Sequence, residues 1–282
     1  MTAKFMQILK DYLINKPAAW VPQNVYVQYI TLLSGFRLKS YSKFLSSENS
    51  SFFIYQVTHN KHKIFFQSAI RVNRFMKGFE NAGKRMWNRY KIDDLVRGIE
   101  PRTVIDIGAN IGEFSYYADK KYAGRVKIIA FDPDPITKQC FENNLAGIDT
   151  TFNLVALSNK LGEEDFYLKT ESADSSLHKP IGQSTKMKTK IVTLDSFFNN
   201  QEIEQPVLLK MDTEGHEPEV LLGAVETLKK ITWVSIDAGL ERYGKSTSDE
   251  VARILVDQGF SEVTISESYL VTAKKYLTTS LR

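Results

Sequence analysis

A single cysteine, Cys140, stands in 282 residues. One thiol excludes an internal disulfide and leads us to expect a reducing, cytoplasmic setting. No run of 18 apolar residues occurs, so no membrane-crossing helix is expected. The first ten residues lack the apolar core and cleavage site of a secretory signal. Histidine is scarce, at four residues. His59 and His62 stand three apart with no cysteine or carboxylate near them in sequence, which suits exposed turn histidines better than metal ligands. Negative charge is scarce at the front of the chain. Residues 1–100 hold 16 Lys/Arg against 6 Asp/Glu, a net of +10, and the remainder is net −6. Such a split fits an anionic partner (an acidic glycan, a phosphate-bearing substrate, a membrane surface or nucleic acid) or a basic face docked on the acidic remainder.

What is present is globular: 43% hydrophobic and 25% charged residues, enough for one large domain or two small ones. Phe5, Ile8, Leu9, Tyr12 and Leu13 recur at helical spacing. This stripe suits packing or a homo-oligomer, and Lys4, Lys10 and Lys16 add the option of peripheral contact with acidic lipid. Pro17 and Pro22 end it. Residues 24–33 are apolar and aromatic, with helix and strand equally open, and the serine-rich 40–51 reads as a loop. Residues 52–57 and 63–67 read as two strands joined through the histidine turn. Arg71, Arg74, Lys77, Lys84, Arg85, Arg89 and Lys91 then interleave with Phe75, Phe79, Trp87 and Tyr90. The aromatic spacing describes a helix with a buried face and a basic outer face, although the same mixture occurs in nucleic-acid binders.

From Arg102 onward strands alternate with helices, the signature of a parallel sheet covered on both faces. Core strands are expected at 103–107, 126–131, 151–157, 207–211 and 233–236, with a closing hairpin at 260–265 and 269–273. Cys140 falls in an expected helix, 136–145, as a packed thiol. Ser246, Thr247 and Ser248 offer caps to a helix over 248–258 that Gly259 stops. Extra strands at 165–168 and 188–194 flank a long loop, 170–187, of a length that marks function or motion.

Chemistry concentrates in two stretches. In the first, the strand 103–106 ends in Asp106, Gly108 and Gly112 bracket a turn, and Glu113-Phe-Ser-Tyr116 opens a helix. Strand, glycine turn and helix N-terminus make a nucleotide cradle. The middle glycine of a dinucleotide fingerprint is missing, which disfavours a dehydrogenase. Asp106 opposes a pyrophosphate but suits an ammonium, so a ligand with ammonium and carboxylate fits better: the methionine end of S-adenosylmethionine. Asp132 ends the next strand, 26 residues on, placed to accept hydrogen bonds from two ribose hydroxyls. The second stretch, Val207-Leu-Leu-Lys-Met-Asp-Thr-Glu-Gly-His-Glu-Pro218, ends a strand at Asp212. Asp106, Asp132, Asp212 and Asp237 all stand at carboxyl ends of expected strands, where open parallel sheets bind ligands. Methyl transfer to a hydroxyl needs a proton acceptor held in line. His216 is the candidate base, with Asp212 or Glu214 orienting it or the substrate. Alternatively Asp212, Glu214 and Asp237 hold a divalent cation such as Mg2+. Glu217 and Glu219 suit a helix N-terminus.

Taken together, Asp106-Ile-Gly-Ala-Asn-Ile-Gly112, Phe131-Asp-Pro-Asp-Pro135, Ala156-Leu-Ser158, Thr193-Leu-Asp-Ser-Phe197 and Lys210-Met-Asp-Thr-Glu-Gly-His-Glu217 resemble the FkbM family of S-adenosylmethionine-dependent methyltransferases over about residues 77–273. The resemblance implies an α/β, Rossmann-like class I methyltransferase fold. That fold has a seven-stranded, mostly parallel sheet with helices on both faces, and here a basic N-terminal extension. It implies O-methylation of sugar or natural-product hydroxyls. It also implies that Asp106, Gly108, Asn110 and Gly112 line the methionine end, that Asp132 takes the ribose, that Ala156 and Leu157 flank the adenine, and that Asp212, Glu214 and Gly215 sit by the acceptor. Three positions depart from the family pattern: Asp132 and Asp237 stand where Glu is common, and His216 where a small residue is common. Residues 1–76 lie outside the resemblance, so two regions are expected: 1–76 for substrate recognition or oligomerisation, and 77–282 for the methyltransferase domain. Metal-assisted O-methylation and a nucleic-acid-binding protein built on this fold are the alternatives.

Overall fold

The computed structural model describes residues 22–33, 38–45, 53–169, 175–178, 184–199 and 201–275. The stripe at 5–13, the break at Pro17 and most of the loop 170–187 lie outside the described residues. Residues 24–33, open between helix and strand, form helix α1 (Gln23–Leu33), whose Tyr26, Val27 and Ile30 are buried at helical spacing. Strands β1 (Leu38–Leu45), β2 (Phe53–His59) and β3 (His62–Phe66) form an antiparallel sheet in that order. β1 occupies part of the serine-rich stretch expected as a loop. Its pairing with β2, from Leu38↔His59 to Leu45↔Phe53, supplies a tertiary ladder that overrides weak local preference. Asn60 and Lys61, at φ 48° and 68°, make the two-residue turn between β2 and β3. The flanking histidines are not the exposed pair expected. Both are half-buried, and His62 lies 5.8 Å from the Phe79 ring and 5.3 Å from the Tyr116 ring. Burial, then Lys120 and His59, lower its pKa.

The basic, aromatic stretch is three pieces rather than one helix: a 3-10 turn at Ala69–Phe75, α2 (Phe79–Arg89) and α3 (Ile92–Val96). Gly78, at φ +88°, breaks the first from the second, and a Cβ there would sit 2.6 Å from His59 Nδ1. Then come β4 (Thr103–Ile107), α4 (Glu113–Lys121), β5 (Lys127–Phe131), α5 (Pro135–Asn144), β6 (Thr150–Asn153), β7 (Ala156–Leu157), β8 (Gly162–Leu168) and β9 (Thr185–Val192). The chain continues through α6 (Leu194–Phe197), β10 (Val207–Met211), α7 (Glu217–Leu222), α8 (Val225–Leu228), β11 (Trp233–Asp237), α9 (Ser248–Asp257), β12 (Ser261–Ile265) and β13 (Leu270–Lys274).

Seven strands form the central sheet in the order β12-β13-β11-β10-β4-β5-β6. β13 runs antiparallel to both neighbours, and the pairs from β11 to β6 are parallel. This is the seven-stranded, mostly parallel sheet expected of a class I methyltransferase. Side-chain alternation sorts its two faces. Val104, Ile128 and Leu208 pack with Trp87, Phe114, Ala118 and Tyr122. Ile105, Ile107, Leu209 and Met211 pack with Val220, Leu221, Leu228, Val251 and Leu255. The expected strand 151–157 is split. β6 stays in the main sheet, while β7 pairs with β9 in a separate sheet ordered β7-β9-β8. β4 and β10 run parallel, but the order in which the chain adds strands reverses between them, and the crevice beyond their carboxyl ends is where such sheets bind ligands.

Candidate active site

The two central loops meet at that crevice. Gly108, the first residue after β4, has φ +69°, and a Cβ there would lie 1.8 Å from the Asp212 carbonyl oxygen. Only glycine permits both the conformation and the contact. The next turn is tied to the neighbouring strand: Gly108 and Ala109 donate to the Phe131 carbonyl at 2.9 and 3.1 Å. Asn110, at φ 49°, donates its backbone N–H to Asp132 Oδ2 at 3.0 Å. Its Oδ1 accepts from Ile111 N–H and from the Arg71 guanidinium, both at 2.9 Å. Asp132 Oδ1 accepts from Asp134 N–H at 3.0 Å and from the Thr137 hydroxyl at 3.3 Å. Burial, reinforced by Asp134, pushes the Asp132 pKa up to about 7. Asp134 caps α5 by accepting from the N–H groups of Ile136 and Thr137, with Pro135 at the first helical position.

A cavity of about 180 Å³ opens over these loops, and Gly108, Asn110, Asp132, Ala156, Leu157, Asp212, Glu214 and His216 line it together. Phe131, Val155, Ala156 and Leu157 make one apolar wall. Asp106 and Gly112 lie behind this surface. Asp106 sits within β4, opposite Lys210 in the parallel register, and is fully buried. Its Oδ1 is 3.1 Å from Lys210 Nζ and its Oδ2 accepts from the Ser115 hydroxyl at 2.6 Å. The charge expected to meet a ligand's ammonium is thus spent inside the protein. Lys210 also donates to the Gly108 carbonyl at 2.9 Å. Burial opposes its charge, but Asp106 and Asp212 outweigh that and leave its pKa raised. Gly112, at φ +91°, backs onto Leu145 and Phe141.

Asp212 and Glu214 line the cavity from the loop after β10. Asp212 Oδ2 accepts from the Tyr90 hydroxyl at 2.7 Å. Tyr90 is fully buried, and burial followed by Asp212 holds its pKa well above the usual tyrosine range, so its hydroxyl is a standing donor. The neighbouring Arg89 pairs with Asp237. Burial and the adjacent Asp212 push Asp237 up to about 6. A metal reading of Asp212, Glu214 and Asp237 gains no support from this geometry. Asp237 is held by Arg89, and among the described residues no three His, Cys, Asp or Glu side chains are grouped to hold a metal ion.

His216 lines the cavity with both ring nitrogens engaged. Its Nε2 lies 2.9 Å from Ser158 Oγ, and its Nδ1 lies 3.4 Å from His178 Nε2, which also lies 3.2 Å from the Gly215 carbonyl. Burial holds its pKa down at about 4, so the ring is neutral at pH 7 and a weak base. Glu217 is structural: its Oε1 accepts from Thr213 N–H, Thr213 Oγ1 and Gly215 N–H, and its Oε2 from Thr247 Oγ1. Glu219 pairs with Arg242. Sequence places Lys210, Ser115 and Ser158 within the site motifs without assigning them a role, and marks Tyr90 and Arg71 only as part of a basic, aromatic stretch. The one available signal is that Lys210 and Asp106 occupy the interiors of adjacent core strands, where an unpaired charge is costly and demands a partner.

The family model for the methyltransferase FkbM domain matches residues 106–262. The chain belongs to the FkbM methyltransferase family. The hexuronic acid methyltransferase AglP of Haloferax volcanii is 29% identical over 47% of this chain and 54% of its own length. Methyltransferase sdnD of Sordaria araneosa is 30% identical, covering 44% of this chain and 60% of that protein. The FkbM chain thus spans little more than half the length of the curated relatives it matches. Among solved structures, the precorrin-6y C5,15-methyltransferase of Geobacter metallireducens superposes with a TM-score of 0.40 at 13% identity, covering 67% of this chain and 89% of that one.

Proposed function

We propose that this FkbM protein is an S-adenosylmethionine-dependent O-methyltransferase acting on a hydroxyl of a sugar, glycan or natural-product acceptor. The observation that carries the reading is that Asp132 and Asp212 line one cavity just past the carboxyl ends of β5 and β10, the strands on either side of β4. The residues fit the cofactor. The wall of Phe131, Ala156 and Leu157 suits an adenine face, Asp132 offers acceptors to a ribose diol, and Asn110 fixes the turn beside the amino-acid end. S-adenosylmethionine, when bound, supplies an electrophilic sulfonium methyl.

Asp212 is the group we assign to the acceptor. Tyr90 engages Oδ2, which leaves Oδ1 to accept the hydrogen bond of an acceptor hydroxyl, align it and take its proton as the methyl transfers. Glu214, beside it on a residue at φ 54°, helps orient the sugar. Ser176, which also lines the cavity, donates to the Glu214 carbonyl at 3.1 Å. An acidic saccharide is the first acceptor class to test. The hexuronic acid named for AglP supports that choice. The nucleic-acid alternative rests on the basic, aromatic run from Arg71 to Lys91, which includes Arg85 and Arg89. Arg85 is engaged by Asn81 and the Arg74 carbonyl, and Arg89 by Asp237.

Calorimetric titration of S-adenosylmethionine and S-adenosylhomocysteine tests the cofactor. The parent should bind both, and Asp132→Ala should weaken both at least about tenfold, the scale of losing charge-assisted hydrogen bonds. Labelled-methyl transfer to glucuronate oligosaccharides, compared with neutral analogues, tests the acceptor. Asp212→Asn should abolish transfer while leaving cofactor affinity intact. No binding by the parent would sink the proposal.

A further inference from the structure

Asp106 does not reach the cavity: its Oδ2 accepts from Ser115, and its Oδ1, without a hydrogen-bond donor, lies 3.1 Å from the Lys210 ammonium as an ion pair. Glu113 does reach it. Glu113 is the first residue of the nine-residue helix α4 and follows Gly112, whose positive φ and contacts with Leu145 and Phe141 set where the helix begins. It is 1% exposed, yet its Oε1 has no hydrogen-bond partner. The nearest cation is Arg74, which also lines the cavity, with Nε 3.7 Å from that oxygen. That separation is within ion-pair range but too long for a hydrogen bond.

A buried carboxylate oxygen without a donor is costly, and such groups ordinarily have a partner. Arg74 is 35% exposed along its side chain and comes from the 3-10 turn Ala69–Phe75, ahead of the matched family domain. A carboxylate and a guanidinium that face one cavity without bonding each other are complementary to a ligand bearing both opposite charges. Of the ligand's parts, only its amino-acid end carries an ammonium and a carboxylate on one carbon.

We propose that Glu113 and Arg74 form the amino-acid clamp of the cofactor site, with Glu113 receiving the α-ammonium and Arg74 the α-carboxylate. This rests on the reading of the cavity as an S-adenosylmethionine site. It moves ammonium recognition from Asp106 to Glu113, and it makes the segment before the family domain part of the cofactor site. Asp106 then serves to fix Lys210 under the glycine turn.

The test compares two ligands by calorimetry on the full chain: S-adenosylhomocysteine, which has the amino-acid end, and 5′-methylthioadenosine, which lacks it. In Glu113→Gln and in Arg74→Met, affinity for S-adenosylhomocysteine should fall roughly tenfold or more, the scale for bonds to charged groups. Affinity for 5′-methylthioadenosine should stay within about twofold of the parent. Melting temperatures check the fold, and should Glu113→Gln not fold, the half-exposed Arg74→Met decides alone. Parent-like S-adenosylhomocysteine binding in the variants overturns the clamp and leaves the cofactor reading standing. Equal losses for both ligands show a structural role and also overturn it. A parent that binds neither ligand overturns the cofactor reading and the clamp with it.

Discussion

Asp132 carries the sharpest consequence of any single side chain. Its pKa of about 7 lies far above that of an unfolded aspartate, because burial, then Asp134, disfavour its charge. Between about pH 4 and 7 the folded state holds a proton that the unfolded state has released. Its contribution to stability therefore falls as pH rises through that window and is flat above it. Cofactor binding runs the other way, since two ribose hydroxyls need the ionised carboxylate. S-adenosylhomocysteine affinity should rise through about pH 7 by up to about tenfold per unit and level off above about pH 8. Asp132→Asn should flatten that profile, weaken binding and raise apo stability at pH 8 by a few kcal/mol, on the order implied by the shift. Titrations at pH 6, 7 and 8 with urea unfolding at pH 8 check all three. A parent profile flat across pH 6–8 would refute the assignment. Lys210 makes the opposite case. Lys210→Met leaves Asp106 buried without its cation and should cost about 3–5 kcal/mol in urea unfolding. Residues such as Gly108, Asp132 and Asp212 were legible because their position at a strand end is itself a signal. Tyr90 was not, because its bond to Asp212 joins positions 122 apart, and its helical spacing spoke only for burial.

Helices and strands follow the same logic on a larger scale. The core strands of the central sheet were legible as β-branched and apolar runs, since burial on both faces leaves no room for alternation. The split after β6 was not, because a continuous apolar run cannot show where a chain leaves one sheet for another. Nor was β1, whose polar composition hides a ladder that only its partner strand creates. The contact between α2 and α4 is similarly silent in sequence but testable. Gly83, in the middle of α2, would place a Cβ 2.2 Å from the Glu113 carbonyl oxygen and 2.7 Å from Tyr117 Cβ. In an isolated helix Gly→Ala stabilises by about 0.8–1.0 kcal/mol. Here the added methyl meets backbone, and overpacking costs about 1–3 kcal/mol or more, so the clash outweighs the propensity. Gly83→Ala should lower stability and, by shifting Glu113, weaken S-adenosylhomocysteine. A variant more stable than the parent with unchanged binding would show that the helices separate freely.

At the scale of the whole molecule, the basic front of the chain and the acidic remainder are not independent bodies. Ile54, Val57, Ile64, Phe66, Val72 and Phe75 share one buried cluster with Ile111, Ala130, Phe141 and Leu145 of the methyltransferase domain. Asn144 stitches the two, accepting from Phe65 N–H at 2.8 Å and donating to the Phe65 and Ile111 carbonyls at 2.9 and 3.0 Å. Composition suggested a boundary near residue 76, since charge and family resemblance both change there. Composition cannot report that the hydrophobic face of the front segment is completed by α5. Each large side chain in that cluster contributes about 1.5–3 kcal/mol by burial, so even a few of them rival the whole stability of a domain. Removing residues 1–76 should therefore uncover Phe141, Leu145 and Ile111 and take away Arg71, which holds Asn110 in the cofactor turn. We expect the 77–282 fragment to lose its cooperative thermal transition and its S-adenosylhomocysteine binding together, and the full chain to melt in a single transition. Asn144→Ala, which keeps every residue but removes the three bonds, should lower that single transition without splitting it, by about 1–3 kcal/mol. A 77–282 fragment that melts cooperatively at the parent's temperature and binds with the parent's affinity would establish two separable units, with the front segment acting on the acceptor alone.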